Sequence, residues 1–179
     1  MSSQTVLVTV GTDVHPFTRM IELTEALMAR RPDLVVVVQH GTSRPAAGAR
    51  NVEMLDAASF DALLHKADLV IAQGGPGGIL EARAAGRVPL VMPRRSDLGE
   101  HVDDHQVAFT RRLADRGLIQ LATDEAQFVD VAERLLSEPV AVEQDDGDAD
   151  PRDRIREVLA VGPGADDRQS FVARIREAL

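Results

Sequence analysis

The sequence predicts an α/β domain in which a parallel β-sheet is covered by helices on both faces. Three observations support this fold class. Four apolar runs are continuous rather than alternating, as is typical of strands buried on both faces of a parallel sheet, and they lie at 6–10, 34–38, 69–72 and 89–93. Helix-like segments separate these runs, which indicates right-handed crossover connections. The length of 179 residues fits one domain.

Each element follows from a local pattern. The first strand, VLVTV, leads into a helix that places Met20, Leu23 and Leu27 at helical spacing. Gly117 is expected to close one later helix, and Thr123 or Asp124 to cap the start of the next. Two weaker strands are expected at 52–55 and 118–121, and the expected helices are 17–30, 59–66, 78–85, 101–116, 124–137, 152–159 and 169–179.

A change of composition divides the chain. The segment EPVAVEQDDGDADP is acidic, poor in large apolar residues and bounded by prolines, so it is predicted to be a solvated linker or loop. The predicted organisation is therefore a ligand-binding α/β domain at 1–137, a linker at 138–151 and a helical extension at 152–179.

Composition excludes several classes of function. The net charge of -9 argues against a dedicated nucleic-acid binder, because affinity for phosphate backbones depends on clustered cations. The chain has no cysteine, which excludes disulfides and thiolate metal sites, and it has no Trp or Tyr for stacking on bases. No apolar run approaches the roughly 20 residues needed to span a bilayer. The N-terminal MSSQTVLVTV lacks a basic region before its apolar run, so a first strand and a cytoplasmic location are expected.

The stretch QGGPGG at 73–78 places four glycines directly after a predicted strand. Glycine is retained where the chain needs a positive φ or where something must approach the main chain closely. Because ligands of open α/β sheets bind at the carboxyl ends of the strands, backbone N–H groups here are expected to hold a phosphate. A tight turn that only joins strand to helix is the alternative. The dinucleotide fingerprint and the P-loop are excluded, because these glycines follow a later strand and no GxxxxGK[ST] is present.

Two other features complete the predicted site. Glu81, within the following helix, is placed to accept hydrogen bonds from a ribose diol, although a carboxylate that only complements the helix dipole explains it equally well. The loop PRRSDLGEHVDDHQ is dense in polar groups that suit a sugar, or is a polar surface loop with Asp103 as a helix cap. His101, Asp103 and His105 could be metal ligands, but one short acidic loop is weak evidence for a metal site.

Together these motifs resemble the nucleotide-sugar-binding lobe of GT-B glycosyltransferases, the family 28 C-terminal domain. The resemblance covers about two-thirds of the chain and rests on VTVGTDVHPF, GGPGGILEARAAGRVPLVMPR and LGEHVDDHQ. The chain is most similar to small stand-alone members: the catalytic subunit of the dolichol-linked GlcNAc transferase and bacterial counterparts in exopolysaccharide synthesis. The resemblance implies a single Rossmann-like lobe, a parallel sheet flanked by helices.

The resemblance also implies roles for particular residues. Glu81 would bind the ribose hydroxyls, and the main chain of Leu55 would meet the uracil. The sugar would be bound by Asp104, His105 and Gln106, and the donor diphosphate by Gly11, Thr12, Gly74, Gly75, Gly77, Gly78 and Arg94. No cofactor and no obligatory metal are implied. The sequence departs from many relatives at Gln73, where they have histidine, and at Pro76 or Gly78, where they have serine.

A complete GT-B enzyme has two lobes, and this sequence resembles only one. The resemblance therefore implies a UDP-sugar donor and a membrane-attached partner subunit that binds a lipid-linked acceptor, at the inner face of the membrane. His15 is the best local candidate for a catalytic base, although a capping or packing role is favoured over it. A non-catalytic nucleotide-binding or partner-stabilising module is the alternative function. A stand-alone epimerase or hydrolase is disfavoured, because those enzymes use two lobes, and a homodimer is also compatible with the sequence.

Overall fold

The computed structural model describes residues 3–140 and 150–160. Its centre is one sheet of six parallel strands in the order β3-β2-β1-β4-β5-β6. The strands are β1 Thr5–Thr9, β2 Val35–Gln39, β3 Arg50–Val52, β4 Leu69–Gln73, β5 Leu90–Met92 and β6 Gln120–Leu121. The chain reverses its direction of winding between β1 and β4, so a crevice opens at their carboxyl ends.

Helices cover both faces of this sheet. They are α1 Thr18–Arg30, α2 Ala57–Lys66, α3 Pro76–Ala84, α4 His105–Asp115, α5 Glu125–Ser137 and α6 Pro151–Ala160. The predicted fold class, a Rossmann-like parallel sheet flanked by helices, is confirmed. None of the helices in the described ranges is long and apolar enough to cross a membrane.

Three helix starts differ from the sequence prediction by two or more residues. Helix α2 begins at Ala57 rather than at residue 59, directly after its cap Asp56, which accepts the N–H of Ser59 at 2.9 Å. Helix α3 begins at Pro76 rather than Gly78, because proline is well suited to the first helical position, where its missing N–H has no intrahelical partner. Helix α4 begins at His105 rather than at residue 101. The chain first forms a short 3-10 turn at Ser96–Leu98, which ends at Gly99 with φ 68°.

The predicted caps at the end of α4 and the start of α5 are present. Gly117 has φ 67°, a region that glycine adopts without strain, and its N–H donates to Ala114 O at 2.9 Å. Asp124 accepts the N–H of Ala126 at 2.8 Å, so it satisfies one of the first N–H groups of α5.

The apolar core lies on both sides of the sheet. On one face β-strand side chains pack with α1 and α5, through residues such as Phe17 and Phe128. On the other face, Ile79 of α3 and Phe109 of α4 lie in one cluster with Ile155 of α6. Helix α6 therefore packs on the same domain core, while the division of the chain at 137 and 151 stays a prediction. The helix predicted at 169–179 lies outside the described residues.

Candidate functional site

A cavity of about 560 Å³ lies at the carboxyl edge of the sheet, where the winding reverses between β1 and β4. This size suits a small-molecule ligand, and the position is the one at which open α/β sheets bind ligands. Its walls come from the loops after β1, β3 and β4 and from the segment around the start of α4. The lining residues are Thr9, Gly11, Thr12, Asp13, Gln39, Met54, Leu55, Ala57, Phe60, Ala72, Gln73, Gly75, Pro76, Gly77, Gly78, Glu81, His101, His105 and Gln106.

The start of α3 presents bare main chain to this cavity. A Cβ added at Gly77 would meet no atom within 4 Å, and one added at Gly78 would meet only Thr9 Cγ2 at 3.8 Å. No side chain caps the N-terminus of α3. Since N–H groups in the first turn have no intrahelical acceptor, those of Gly77 and Gly78 are available to an anion in the cavity.

A different reason accounts for glycine at positions 11, 74 and 75. A Cβ at Gly75 would lie 2.1 Å from Gln73 Nε2, and one at Gly11, where φ is 77°, would lie 2.7 Å from the same atom. At Gly74 a Cβ would lie 3.0 Å from Gln106 Oε1. These three glycines make room for the amide side chains of Gln73 and Gln106, so internal packing accounts for them.

The floor of the cavity is a short hydrogen-bonded chain at the ends of β1 and β2. Gln39 is 5% exposed; its Nε2 donates to Thr9 Oγ1 at 3.2 Å, and its Oε1 accepts the N–H of Leu55 at 3.1 Å. The N–H of Leu55 is therefore already engaged. If a nucleobase meets the main chain of Leu55, the carbonyl is the group left for it.

Glu81 lies on the cavity side of α3, one and a half turns from its start. The residue is exposed overall, and its carboxylate is partly desolvated by its surroundings. This desolvation, with a smaller contribution from the negative charge of Asp61, raises the pKa of Glu81 above its ordinary value. A ligand that donates hydrogen bonds to the carboxylate would reverse this shift.

Asp13 lies at the mouth of the cavity between two histidines. Its Oδ1 is 2.7 Å from His15 Nδ1 and accepts the backbone N–H of His15 at 2.8 Å. Its Oδ2 is 3.2 Å from Nε2 of His101. Burial alone would raise the pKa of Asp13, but the two hydrogen bonds from His15 outweigh it and hold the pKa below the usual value.

A second carboxylate continues this cluster on the other side of His101. Asp103 Oδ1 lies 3.5 Å from His101 Nδ1 and is in hydrogen-bond contact with Nδ1 of His105. The rings of His101 and His105 meet edge to face, with centroids 4.7 Å apart. The loops after β1 and β5 are therefore joined at the cavity mouth by alternating carboxylates and imidazoles.

Arg94 takes no part in the lining. It is 0% exposed, and its guanidinium donates to the carbonyls of Val10 at 2.8 Å, His15 at 2.7 Å and Glu100 at 3.0 Å. It also stacks on the ring of Phe17, 4.6 Å from the ring centroid. Arg94 therefore ties together the two loops that form the cavity mouth, and the role predicted for it as a phosphate ligand has no geometric support.

The structure brings most of the predicted site residues to one cavity: Gly11, Thr12, Leu55, Gly75, Gly77, Gly78, Glu81, His105 and Gln106. Four predicted residues, Gly74, Arg94, Asp104 and His15, are outside the lining. Asp104 instead accepts the N–H of Ser96 at 2.8 Å on the outer side of the loop. His15 is near the cavity only through Asp13.

Several lining residues were not predicted from the sequence to bind the donor, among them Asp13, Gln39 and His101, which was considered only as a metal ligand. Asp13 and Gln39 could have been found, because each follows or ends a buried strand at the edge where ligands bind. The sequence could not place His101 beside Asp13, because the two residues are 88 positions apart and meet only where their loops come together in the fold.

Comparison with known families gives one match over most of the chain. Residues 5–157 match the family described as Glycosyltransferase family 28 C-terminal domain. A comparison with curated proteins found no match.

Solved structures with the same fold include two glycosyltransferases and one epimerase. The glycotransferase of kitacinnamycin is 20% identical, with TM-score 0.59, and the match covers 99% of this chain and 43% of that chain. The spinosyn rhamnosyltransferase SpnG complexed with thymidine diphosphate is 20% identical, with TM-score 0.52 and coverage of 98% and 46%. The UDP-GlcNAc 2-epimerase from Neisseria meningitidis bound to UDP-GlcNAc is 15% identical, with TM-score 0.55 and coverage of 90% and 45%. This chain therefore spans less than half the length of each of these proteins.

Proposed function

We propose a donor-binding role for this chain, which belongs to the Glycosyltransferase family 28 C-terminal domain family. The proposed donor is a UDP-sugar, bound with its diphosphate at the start of α3 and its sugar towards the start of α4. The chain would be the donor-binding, catalytic subunit of an inverting glycosyltransferase. Similarity to both a transferase and an epimerase shows that the fold alone does not decide between them; the family does support transfer.

The observation that carries this proposal is the uncapped start of α3 in the cavity. Gly77 and Gly78 leave main-chain N–H groups open there, and the helix dipole adds positive potential at the same point. Among the described residues, the cavity lining contains no arginine or lysine. Backbone donors at the start of α3 are therefore the proposed source of positive potential for a diphosphate.

The rest of the donor follows from this anchor. Glu81 would accept hydrogen bonds from the ribose hydroxyls, and the carbonyl of Leu55 would accept one from uracil. His105 and Gln106 line the end of the cavity near the start of α4, where the sugar would lie. Relatives whose structures hold thymidine diphosphate or UDP-GlcNAc support a nucleoside diphosphate ligand.

Inverting transfer needs a base that takes the proton of the acceptor hydroxyl and stabilisation of the negative charge on the departing UDP. The start of α3 would supply the second. His15 is a candidate for the first, because Asp13 holds its Nδ1 at 2.7 Å and leaves Nε2 as the nitrogen that can accept a proton. The side chain of His15 is 35% exposed, so an acceptor held by another lobe can reach it.

The acceptor lobe is proposed to be a separate, membrane-attached subunit that carries a lipid-linked acceptor, so that this chain works at the inner face of the membrane in polysaccharide or glycolipid synthesis. The support is the resemblance of this chain's motifs to the small stand-alone members of the matched family. The alternative is a non-catalytic nucleotide-binding or partner-stabilising module. Measuring sugar transfer from the donor in the presence of the acceptor lobe distinguishes a catalytic subunit from a non-catalytic module.

Replacing Glu81 by alanine is expected to weaken UDP binding by about 1–3 kcal/mol, because a charged hydrogen-bond acceptor is lost from the ribose site. Calorimetric titration with UDP, and with ADP for comparison, measures this on the chain alone. Selective UDP binding that Glu81→Ala does not change would contradict the ribose assignment. No UDP binding by the chain, alone or with its acceptor lobe, would contradict the proposed function.

The pH dependence of donor binding provides a second test of whether the carboxylate of Glu81 contacts the donor. Since burial raises its pKa, wild-type affinity for a UDP-sugar, whose esterified diphosphate does not titrate in this range, should fall on acidification as the carboxylate takes up a proton. The loss should begin at a higher pH than for an ordinary glutamate. Glu81→Gln removes this titration but keeps the histidines, so the difference between the two pH profiles isolates Glu81.

Replacing His15 by glutamine should lower kcat at least tenfold while leaving donor affinity within about twofold, because general bases contribute roughly 10²–10⁴-fold to rate and His15 does not line the donor cavity. Asp13→Asn should lower kcat in the same direction by releasing the ring. Sugar transfer to the acceptor, followed with the acceptor lobe present, is the measurement. Unchanged kcat in His15→Gln would remove His15 as the base.

A further inference from the structure

We propose that His101, Asp103 and His105 form a binding site for a divalent transition-metal ion of the zinc class. This site lies at the mouth of the cavity, shares His101 and His105 with the cavity lining, and goes beyond the proposed donor binding. One ligand atom from each of the three side chains lies within 4.8 Å of the others. Two imidazoles and a carboxylate are a common ligand set for zinc, and three protein ligands leave a fourth position open.

The orientation of His101 points to a ligand at this place. Its Nε2 faces Asp13 Oδ2 at 3.2 Å, so Nε2 carries the proton. Its Nδ1 then carries the lone pair, and a long contact of 3.3 Å from the backbone N–H of Asp103 shows that this atom acts as an acceptor. The lone pair therefore lies on the side of the ring that faces Asp103, whose Oδ1 is 3.5 Å from Nδ1.

Asp13 completes an arrangement that metal sites share. Histidines that bind metals almost always donate their second ring N–H to a carboxylate, which fixes the ring and strengthens the ligand. Asp13 provides this carboxylate to His101 and is itself held by two hydrogen bonds from His15. The outer partner comes from the loop after β1, so its contact with His101 is independent of the short spacing between the three ligands.

Burial also separates this cluster from an ordinary polar loop. The side chains of His101 and His105 are 8% and 22% exposed, and Asp103 is 48% exposed. Ligand atoms about 2 Å from a zinc ion lie roughly 3–4 Å from one another. The 3.5 Å between His101 Nδ1 and Asp103 Oδ1 is already in this range, and a ligand atom of His105 lies within 4.8 Å of those of the other two side chains.

The test is a competition titration of Zn²⁺ against a chromogenic chelator at neutral pH, on the full chain with any histidine tag removed. Wild type is expected to bind one equivalent. His101→Gln and His105→Gln should each lose at least tenfold in affinity, and Asp13→Asn about 10–100-fold, since an outer partner has this effect. The control is His65→Gln, an exposed histidine on α2 that should bind zinc like wild type.

Thermal unfolding of each variant without metal shows whether it is folded, and added Zn²⁺ should raise the Tm of wild type but not of the His101→Gln/His105→Gln double variant. Wild-type affinity no greater than that of the double variant would overturn the site. Loss of binding in His65→Gln would overturn it as well. Neither outcome bears on the proposed function, because UDP binding is measured in a separate titration.

Discussion

Replacing Gly77 by valine is expected to lower donor affinity by more than about 100-fold, close to 3 kcal/mol, without unfolding the domain. The substitution is expected to fit, because a Cβ at Gly77 would meet no atom within 4 Å beyond its chain neighbours and the backbone of its own helix. It instead occupies the part of the cavity where a diphosphate would reach the N–H groups of α3. Valine has a somewhat higher helix propensity than glycine, so the free energy of unfolding should change by less than about 1 kcal/mol.

Calorimetric titration with UDP and chemical denaturation of the same samples measure both effects. Ala84→Val is the matched control, since it adds similar volume at an exposed position of the same helix, away from the cavity lining. UDP affinity equal to wild type in Gly77→Val would exclude the start of α3 as the diphosphate site. Loss of stability would show that the space beside Gly77 is not open.

Gly75→Ala provides the opposite case. A Cβ there would lie 2.1 Å from Gln73 Nε2, so the amide must move before the substitution fits. The structure therefore separates glycines with open space beside them, which we propose serve the ligand, from glycines that make room for neighbouring side chains. In the sequence all four glycines of QGGPGG look alike, because nothing local shows where the side chain of Gln73 lies.

The fold could be predicted well from the sequence because each strand carries its own signal. A run such as LVVVV is apolar at every position, which only a strand covered on both faces requires. Among the described residues the errors are in boundaries: α2 and α3 each begin two residues early, β3 is Arg50–Val52 rather than 52–55, and α4 begins at His105 after a 3-10 turn. A helix boundary depends on which backbone N–H groups find hydrogen-bond acceptors, and the spacing of apolar residues carries no information about those bonds.

The candidate site could be predicted only in its local parts. Glu81 and the glycines of α3 follow one strand in one motif, so their position at the sheet edge followed from the strand that precedes them. The His–Asp cluster depends on contact between the loops after β1 and β5, which no spacing in the sequence reveals. Arg94 shows the same limit, because a cation at the end of a strand suggested a phosphate ligand and the structure buries it.

Replacing Arg94 by methionine is expected to destabilise the domain by about 3–5 kcal/mol. The buried carbonyls of Val10 and Glu100 and the half-buried carbonyl of His15 would lose charged donors. A lost hydrogen bond to a charged group costs roughly 1.5–3 kcal/mol. The guanidinium also leaves its place on Phe17. UDP affinity should fall as well, because the loop that carries Gly11 and Thr12 loses its tie to the loop after β5.

Denaturant titration of Arg94→Met against Arg95→Met separates this role from phosphate binding. Arg95 is the next residue, but its side chain is 44% exposed and pairs with Asp97, so its loss should change stability by less than about 1 kcal/mol. Arg94→Lys keeps the charge and loses the planar fork, so it should lose much of the stability that methionine loses. A phosphate ligand would behave in the opposite way: Arg94→Met would retain wild-type stability and lose only UDP affinity, and Arg94→Lys would retain much of both. That result would show that Arg94 binds the donor phosphate and does not stabilise the contact between the two loops.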